Sequence, residues 1–442
     1  MTEARPLSGE RIDAVTDLPL GFPAPRAWAL SFAFALLLLL CFAVAVTVLF
    51  FRGVGVFGNN IPVAWGFPIV NYIWFLGIGH AGTLISALLL LTGVTQRNAL
   101  NRFAETMTLF AVVCAGLYPI LHLGRPWLFY WTAPYPNTMG IWPQFKSPLS
   151  WDFFAVLTYL VASAAFWYVG AIPDFARLRD RAKSRLGQVF YGLAALGWRG
   201  SMRHWRRWEQ AYRLCAGLAV TMVFIITAAY SLLLGGGPIP GWHSSIFPPY
   251  FLCGAVFSGF AVVAVIMAVL RRAFRLDDIL TDAHSNLIGK LLLAVGLMTA
   301  YGYLADIFNA LYSGEQSELE TLHDRLSGAY AWSFWGAVIC NFVPLQLLWL
   351  RRVRRNSLLL AAIGVSVAAG MWMERYMLIV TGLYRDHLVS SWGTFQASLW
   401  DWALFAGMIG VFLAPFLLFV RLLPIVSGFE LKKASEEASH AR

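Results

Sequence analysis

Long apolar runs, each near the length of a bilayer-crossing helix, alternate with short polar connections through most of this chain. Ten can be read, at roughly 27–51, 68–93, 103–121, 150–170, 212–234, 250–270, 288–311, 331–350, 358–380 and 401–422. A helix rises about 1.5 Å per residue, so about 20 apolar residues cross the roughly 30 Å of hydrocarbon. Helix is the economical choice in lipid, because every backbone amide must be paired within the segment. A membrane β-barrel would instead show short stretches of alternating polarity. The pattern predicts an all-α integral membrane protein of ten transmembrane helices, a 27–422 membrane domain between a polar 1–26 segment and a 423–442 tail. The 27–51 run is too long for a signal-peptide core and has no basic stretch directly before it, so it reads as a retained span.

Composition agrees. Of 442 residues, 59% are hydrophobic and 13% charged, more apolar surface than a soluble domain of that size can bury. The net charge of +10 does not point to nucleic acid here. It is placed where cytoplasmic loops carry it, facing anionic lipid. The stretch 171–213 holds ten Lys/Arg, the connection after the sixth run begins Arg271-Arg272 and adds Arg275, and the one after the eighth reads Arg351-Arg352-Val353-Arg354-Arg355. Arg421, Lys432 and Lys433 follow the tenth run. All fall on one side, so both termini are expected in the cytoplasm of a bacterial inner membrane, with 122–149, 235–249, 312–330 and 381–400 outside. The 171–211 cytoplasmic loop, with Trp198, Trp205 and Trp208 among arginines, suits amphipathic helices at the interface. Cys41, Cys114, Cys215, Cys253 and Cys340 all lie in apolar runs without a Cys-x-x-Cys pair, so they read as small core side chains.

Ionisable groups inside a bilayer are costly unless paired or hydrated, which makes them the informative positions. His80 lies within the second run, between glycines that let another helix come close. It is either a packing hydrogen-bonder or part of a site. Tyr118 and His122 are four residues apart and share a helix face, with Pro119 loosening the ladder between them and Arg125 just beyond. Asp152, after Trp151, opens the fourth run; alone it would be an ordinary first-turn acid favoured by the helix dipole. Its convergence with a histidine and an arginine at one depth shifts the reading toward a polar pocket. Arg125 could keep Asp152 ionised or orient a ligand oxygen. A second group comprises Lys290, Asp306, Asn309, Glu374 and Arg375, either a structural ion-pair network or a proton path. Neighbours on a helix do not face each other, so Glu374 and Arg375 are expected to have different partners. No nucleotide-binding loop is present, and one histidine in the hydrocarbon does not make a two-histidine haem site. Neither haem nor iron–sulfur cluster, nor any other metal, is expected in this chain. Electron chemistry here would need a bound organic carrier and a partner's metal centres.

These residues carry a resemblance to the NrfD/PsrC-like family of quinone-interacting membrane subunits. The motifs are Gly77-Ile78-Gly79-His80-Ala81-Gly82-Thr83, His122-Leu123-Gly124-Arg125-Pro126-Trp127, Trp142-Pro143-Gln144-Phe145-Lys146-Ser147-Pro148, Pro240-Gly241-Trp242-His243 and Met371-Trp372-Met373-Glu374-Arg375-Tyr376. Within the family the chain looks most like the larger ten-span core subunit (ActC) of alternative complex III. The resemblance implies two four-helix bundles, within 68–234 and 250–380, plus two peripheral helices. It implies a quinone or quinol cofactor, menaquinone or ubiquinone, oxidised in the first bundle near the outer face, with the family's histidine and acid falling on His122 and Asp152. Arg125, Tyr118, His80 and Trp151 would help hold the ring, and Asp306, Glu374, Arg375 and Lys290 would serve a proton path. Implied partners are an iron–sulfur/molybdopterin-like peripheral subunit outside, cytochrome c subunits and a second NrfD-like membrane subunit. One departure is visible. Relatives carry an acid near the outer end of the fifth span, where this chain reads Ala229-Tyr230-Ser231-Leu232. A proton or ion transporter and a purely structural anchor for redox subunits are the competing functions.

Overall fold

The computed structural model of the chain describes residues 8–21, 25–94, 97–133, 148–237, 239–385 and 389–440, so residues 142–147 of the Trp142-Pro143 motif lie outside the described residues. The described residues form helices and connections, without a strand. Among the described residues, ten helices are long and apolar enough to cross a membrane: Arg26–Arg52, Gly66–Leu91, Arg97–His122, Ser150–Arg181, Met202–Gly235, Phe247–Ala273, Asp282–Ser313, Ala331–Trp349, Ser357–Thr381 and Leu399–Leu422. They are called the first to tenth spans below.

Helices and apolar runs differ most around the Arg/Lys-rich connection between the fourth and fifth spans. Hydropathy stops near 170 and resumes near 212, but the helices do not. The fourth reaches Arg181 and the fifth starts at Met202, leaving a short helix, Arg185–Ala194, capped by the Ser184 hydroxyl. At about 1.5 Å per residue such helices outreach the roughly 30 Å of hydrocarbon, so their arginines lie beyond it. The eighth span is α-helical only to Phe342; Pro344 opens a 3₁₀ turn, Pro344–Trp349, because its ring cannot donate to the α ladder. The ninth widens into a π turn, Met377–Thr381, and the Trp242 indole donates to the Leu378 carbonyl inside it (2.9 Å).

Spans two to five pack against one another in sequence and close through the second and fifth; spans six to nine form the second group around the sixth and ninth. The second span is the hub, touching the third, fifth, sixth and ninth. Its glycines make this possible. A Cβ on Gly82 would meet the Ala104 carbonyl at 2.1 Å, and one on Gly77 the Ala255 Cα at 3.3 Å. The first span packs along the tenth, where Gly407 and Gly410 admit the backbone of Phe42 and Leu39. The N-terminal helix Gly9–Thr16 and the C-terminal helix Gly428–His440 meet at one end of the bundle, joined by Lys432–Asp13 (2.9 Å). This end also carries Arg177 and Arg181, both paired with Asp13; it is the basic face.

Candidate functional site

His122 ends the third span and Asp152 lies near the start of the helix Pro148–Arg181, so both sit at the end opposite the basic face. Between these spans runs an apolar groove of about 270 Å³. Gly116, Leu117, Ile120, Val156 and Leu160 line it, and Asp152 is its carboxylate. Gly116 lets the fourth span approach, since a Cβ there would stand 3.2 Å from Val156 Cγ1. Val113 and Leu157, also in the lining, are exposed, so the groove opens on the surface that faces lipid.

Asp152 stands between this groove and the interior. Nearby in the interior, the rings of Tyr72 and Tyr230 meet edge to face at 5.4 Å. Tyr230 lies in the Ala229-Tyr230-Ser231-Leu232 stretch of the fifth span. Among the described residues, Asp152 Oδ1, His122 Nδ1 and the Tyr72 hydroxyl are buried without a hydrogen-bond partner. Buried polar atoms are paired in the great majority of cases. Several bare ones at one end of one bundle, beside an apolar groove, are what a flat apolar ring with two oxygens at its edges would satisfy.

The other expected residues are distributed differently. Tyr118 points away from the groove, toward Phe75 (ring centroids 6.1 Å). Arg125 is exposed and makes no ion pair with Asp152, because it lies past the helix end, where Gly124 at φ +71° turns the chain toward Val54. Trp151 faces outward, 47% exposed, and does not line the groove. His80 is fully buried deeper in the same bundle, its Nδ1 3.4 Å from the Thr227 hydroxyl, its ring 5.1 Å from that of Tyr159 and its Nε2 unpartnered.

In the second bundle the four expected residues do not converge. Glu374 and Arg375 pair with each other (3.1 Å), contrary to the expectation from helix periodicity. The arginine is long enough to curl back, with its guanidinium over Phe251 (4.2 Å) in space that Gly254 leaves open. The Tyr250 hydroxyl also donates to Glu374. Asp306 is held by Arg325 (2.6 Å), which also donates to the Gly241 carbonyl. Lys290 is exposed on the outside of its helix, so it lies apart from both.

Sequence reasoning missed a cluster on the basic side of the first bundle. Arg97, Asn101, Arg102, Glu105, Asp174 and Glu430 are all buried there. Arg97, Asn101 and Arg102 precede the 103–121 run, where polar residues read as a connection, Glu105 lies just inside that run, and Glu430 arrives from the C-terminal helix.

Residues 55–385 match the model of the family described as polysulphide reductase, NrfD. The chain is 24% identical over 382 residues to a selenate reductase subunit of Mesobacillus selenatarsenatis, covering 82% of this chain and 86% of that one. It is 23% identical to the Hdr-like menaquinol oxidoreductase integral membrane subunit of Archaeoglobus fulgidus (87% and 90% covered). To protein NrfD of Escherichia coli it is 25% identical (72% and 95% covered).

Proposed function

Since the chain belongs to the NrfD family, we propose that it is the quinol-binding and quinol-oxidising membrane subunit of a respiratory oxidoreductase complex, working at the outer end of the third and fourth spans. The observation that carries this reading is the apolar groove ending at Asp152, with Asp152 Oδ1 and His122 Nδ1 buried at the same end of the bundle and unpartnered among the described residues. The relatives named as menaquinol oxidoreductase and reductase subunits support the same class of chemistry.

A bound quinol supplies two electrons and two protons. This chain's residues manage the protons and the geometry. Groove side chains such as Ile120, Val156 and Leu160 exclude water and leave the isoprenoid tail a way to lipid. His122 offers a ring nitrogen to one oxygen of the head group, and Asp152 takes a proton at Oδ1 and passes it toward the outer water. Electrons leave to an iron–sulfur partner on that face. On the motifs given above, the complex is alternative complex III-like, with cytochrome c subunits and a second NrfD-like subunit. In the second bundle, the Asp306–Arg325 and Glu374–Arg375 pairs favour structural ion pairing over a continuous proton path.

Asp152→Asn keeps the shape and removes the base. In assembled complex it should lower quinol-dependent turnover by about 100-fold or more. His122→Ala should weaken quinone binding as well. Normal turnover in both variants would place the site elsewhere.

A further inference from the structure

Two guanidiniums and three carboxylates are gathered near the basic face of the first bundle. Arg97 is paired with Glu430 (2.6 Å), and Asn101 donates to the same carboxylate (2.7 Å). Arg102 is paired with Asp174 (2.6 Å), whose other oxygen accepts from the Gly428 amide (3.2 Å). Both cations are thereby matched by Glu430 and Asp174, and Glu105 is left over. It is 1% exposed. Its Oε1 accepts from the Ser86 hydroxyl and from the Tyr212 hydroxyl (3.2 Å), and its Oε2 has no partner. The cluster is neutral with Glu105 protonated and carries one negative charge with it ionised. A buried charge without a counter-ion is costly, so of the three acids Glu105 is the one whose proton the cluster depends on.

A route to water opens on the basic face. A pocket of about 460 Å³ on the basic face is lined by Tyr212, Arg97 and Glu430 and walled by Trp205, Trp208 and Phe429. Tyr212 therefore touches Glu105 on one side and the pocket on the other. Toward the middle of the bundle the contacts become neutral hydroxyls and carbonyls. Thr108 donates to the Gly79 carbonyl (2.8 Å) and accepts from the Thr83 amide (2.9 Å), and the Tyr159 hydroxyl donates to the same Gly79 carbonyl (2.9 Å).

We propose that Glu105 is a proton-exchange site that loads from the basic face through Tyr212 and the Arg97–Glu430 pocket. In a loading step Tyr212 accepts a proton from a protonated water in the pocket while its own proton passes to Glu105. One O–H bond breaks and one forms at the phenol, which ends unchanged. The groups facing Glu105 are Arg97 and Arg102 on its own helix, Ser86 on the second span, Asp174 on the fourth, Tyr212 on the fifth and Glu430 on the C-terminal helix. The site stands whether or not quinol is oxidised at the opposite end.

Infrared spectroscopy of the intact complex tests it, with a readout that does not depend on turnover. The wild type should show a protonated-carboxyl C=O stretch that is absent from Glu105→Gln and shifts when D2O replaces water. Ser86→Ala removes one hydrogen bond and should move the same band to higher frequency, which assigns it if Glu105→Gln does not assemble. Tyr212→Phe should keep the band and slow its deuterium shift by about tenfold or more. A spectrum with no band sensitive to Glu105→Gln or Ser86→Ala overturns the site. An unchanged exchange rate in Tyr212→Phe overturns the route.

Discussion

Arg102 and Asp174 show what a single buried pair demands. Their side chains are 2% and 4% exposed, and the guanidinium also donates to the Gly170 carbonyl (3.0 Å). Removing one partner strands the other charge, so Arg102→Leu should cost about 3–5 kcal/mol of stability. Arg102→Leu with Asp174→Leu should recover most of that loss, because no lone charge remains. Thermal unfolding of the two variants in one detergent checks it; a double variant no more stable than the single one would refute the pairing argument. In the sequence these residues were visible only as charges flanking apolar runs. Asp152 and His122 stand out as candidates because they lie at run ends beside Pro, Gly and Trp. Glu105 could not, because its significance depends on Glu430 and Asp174 having taken the available arginines, and that is settled by packing. Glu374 and Arg375 failed for a different reason: helix periodicity constrains where Cβ atoms point, but not where a long arginine ends.

At the scale of elements, run lengths located all ten spans but not their ends. Arginine and glutamate are good helix formers, so a helix can continue where hydropathy falls. The N-terminal helix Gly9–Thr16 shows how such polar extensions are used. Asp13 on it receives Lys432, Arg181 and Arg177, from the C-terminal helix and the extended end of the fourth span. The Lys432 ammonium, with both guanidiniums, holds the Asp13 carboxyl well below the ordinary carboxylate range. A depressed folded-state value stabilises docking at every pH above the unfolded value, near 3.9 for aspartate, and that contribution is lost as pH falls below it. Protection from hydrogen exchange over residues 8–21, taken relative to the intrinsic rate at each pH, should therefore be high at neutral pH and fall in acid, and Asp13→Asn should lower it at neutral pH. Protection that is equal in both proteins would show that Ile12 and Val15, both buried, hold the helix by packing alone.

For the whole molecule, the separation of charge is the organising fact. The helices Gly9–Thr16 and Gly428–His440, the extended ends of the fourth and fifth spans and the Arg351–Arg355 helix share one face. The opposite face carries the Asp152 groove and the helix Gln316–Ser327, whose Glu318 accepts from the Gly241 amide (2.9 Å). Lys and Arg resist translocation in short connections, so the basic face should be cytoplasmic. That orientation gives the proposed chemistry a direction. Quinol protons would leave from Asp152 to the outside, while Glu105 would exchange with the cytoplasm. Reporter fusions can decide it. A fusion in the 182–201 connection should be active only as a cytoplasmic reporter, and one within 312–330 only as an external reporter. Successive spans cross in alternating directions, so one pair of fusions fixes every connection. The reverse pattern would put the Asp152 groove on the cytoplasmic face, move the electron-accepting partner there with it, and turn Glu105 into an exchange site for the outside.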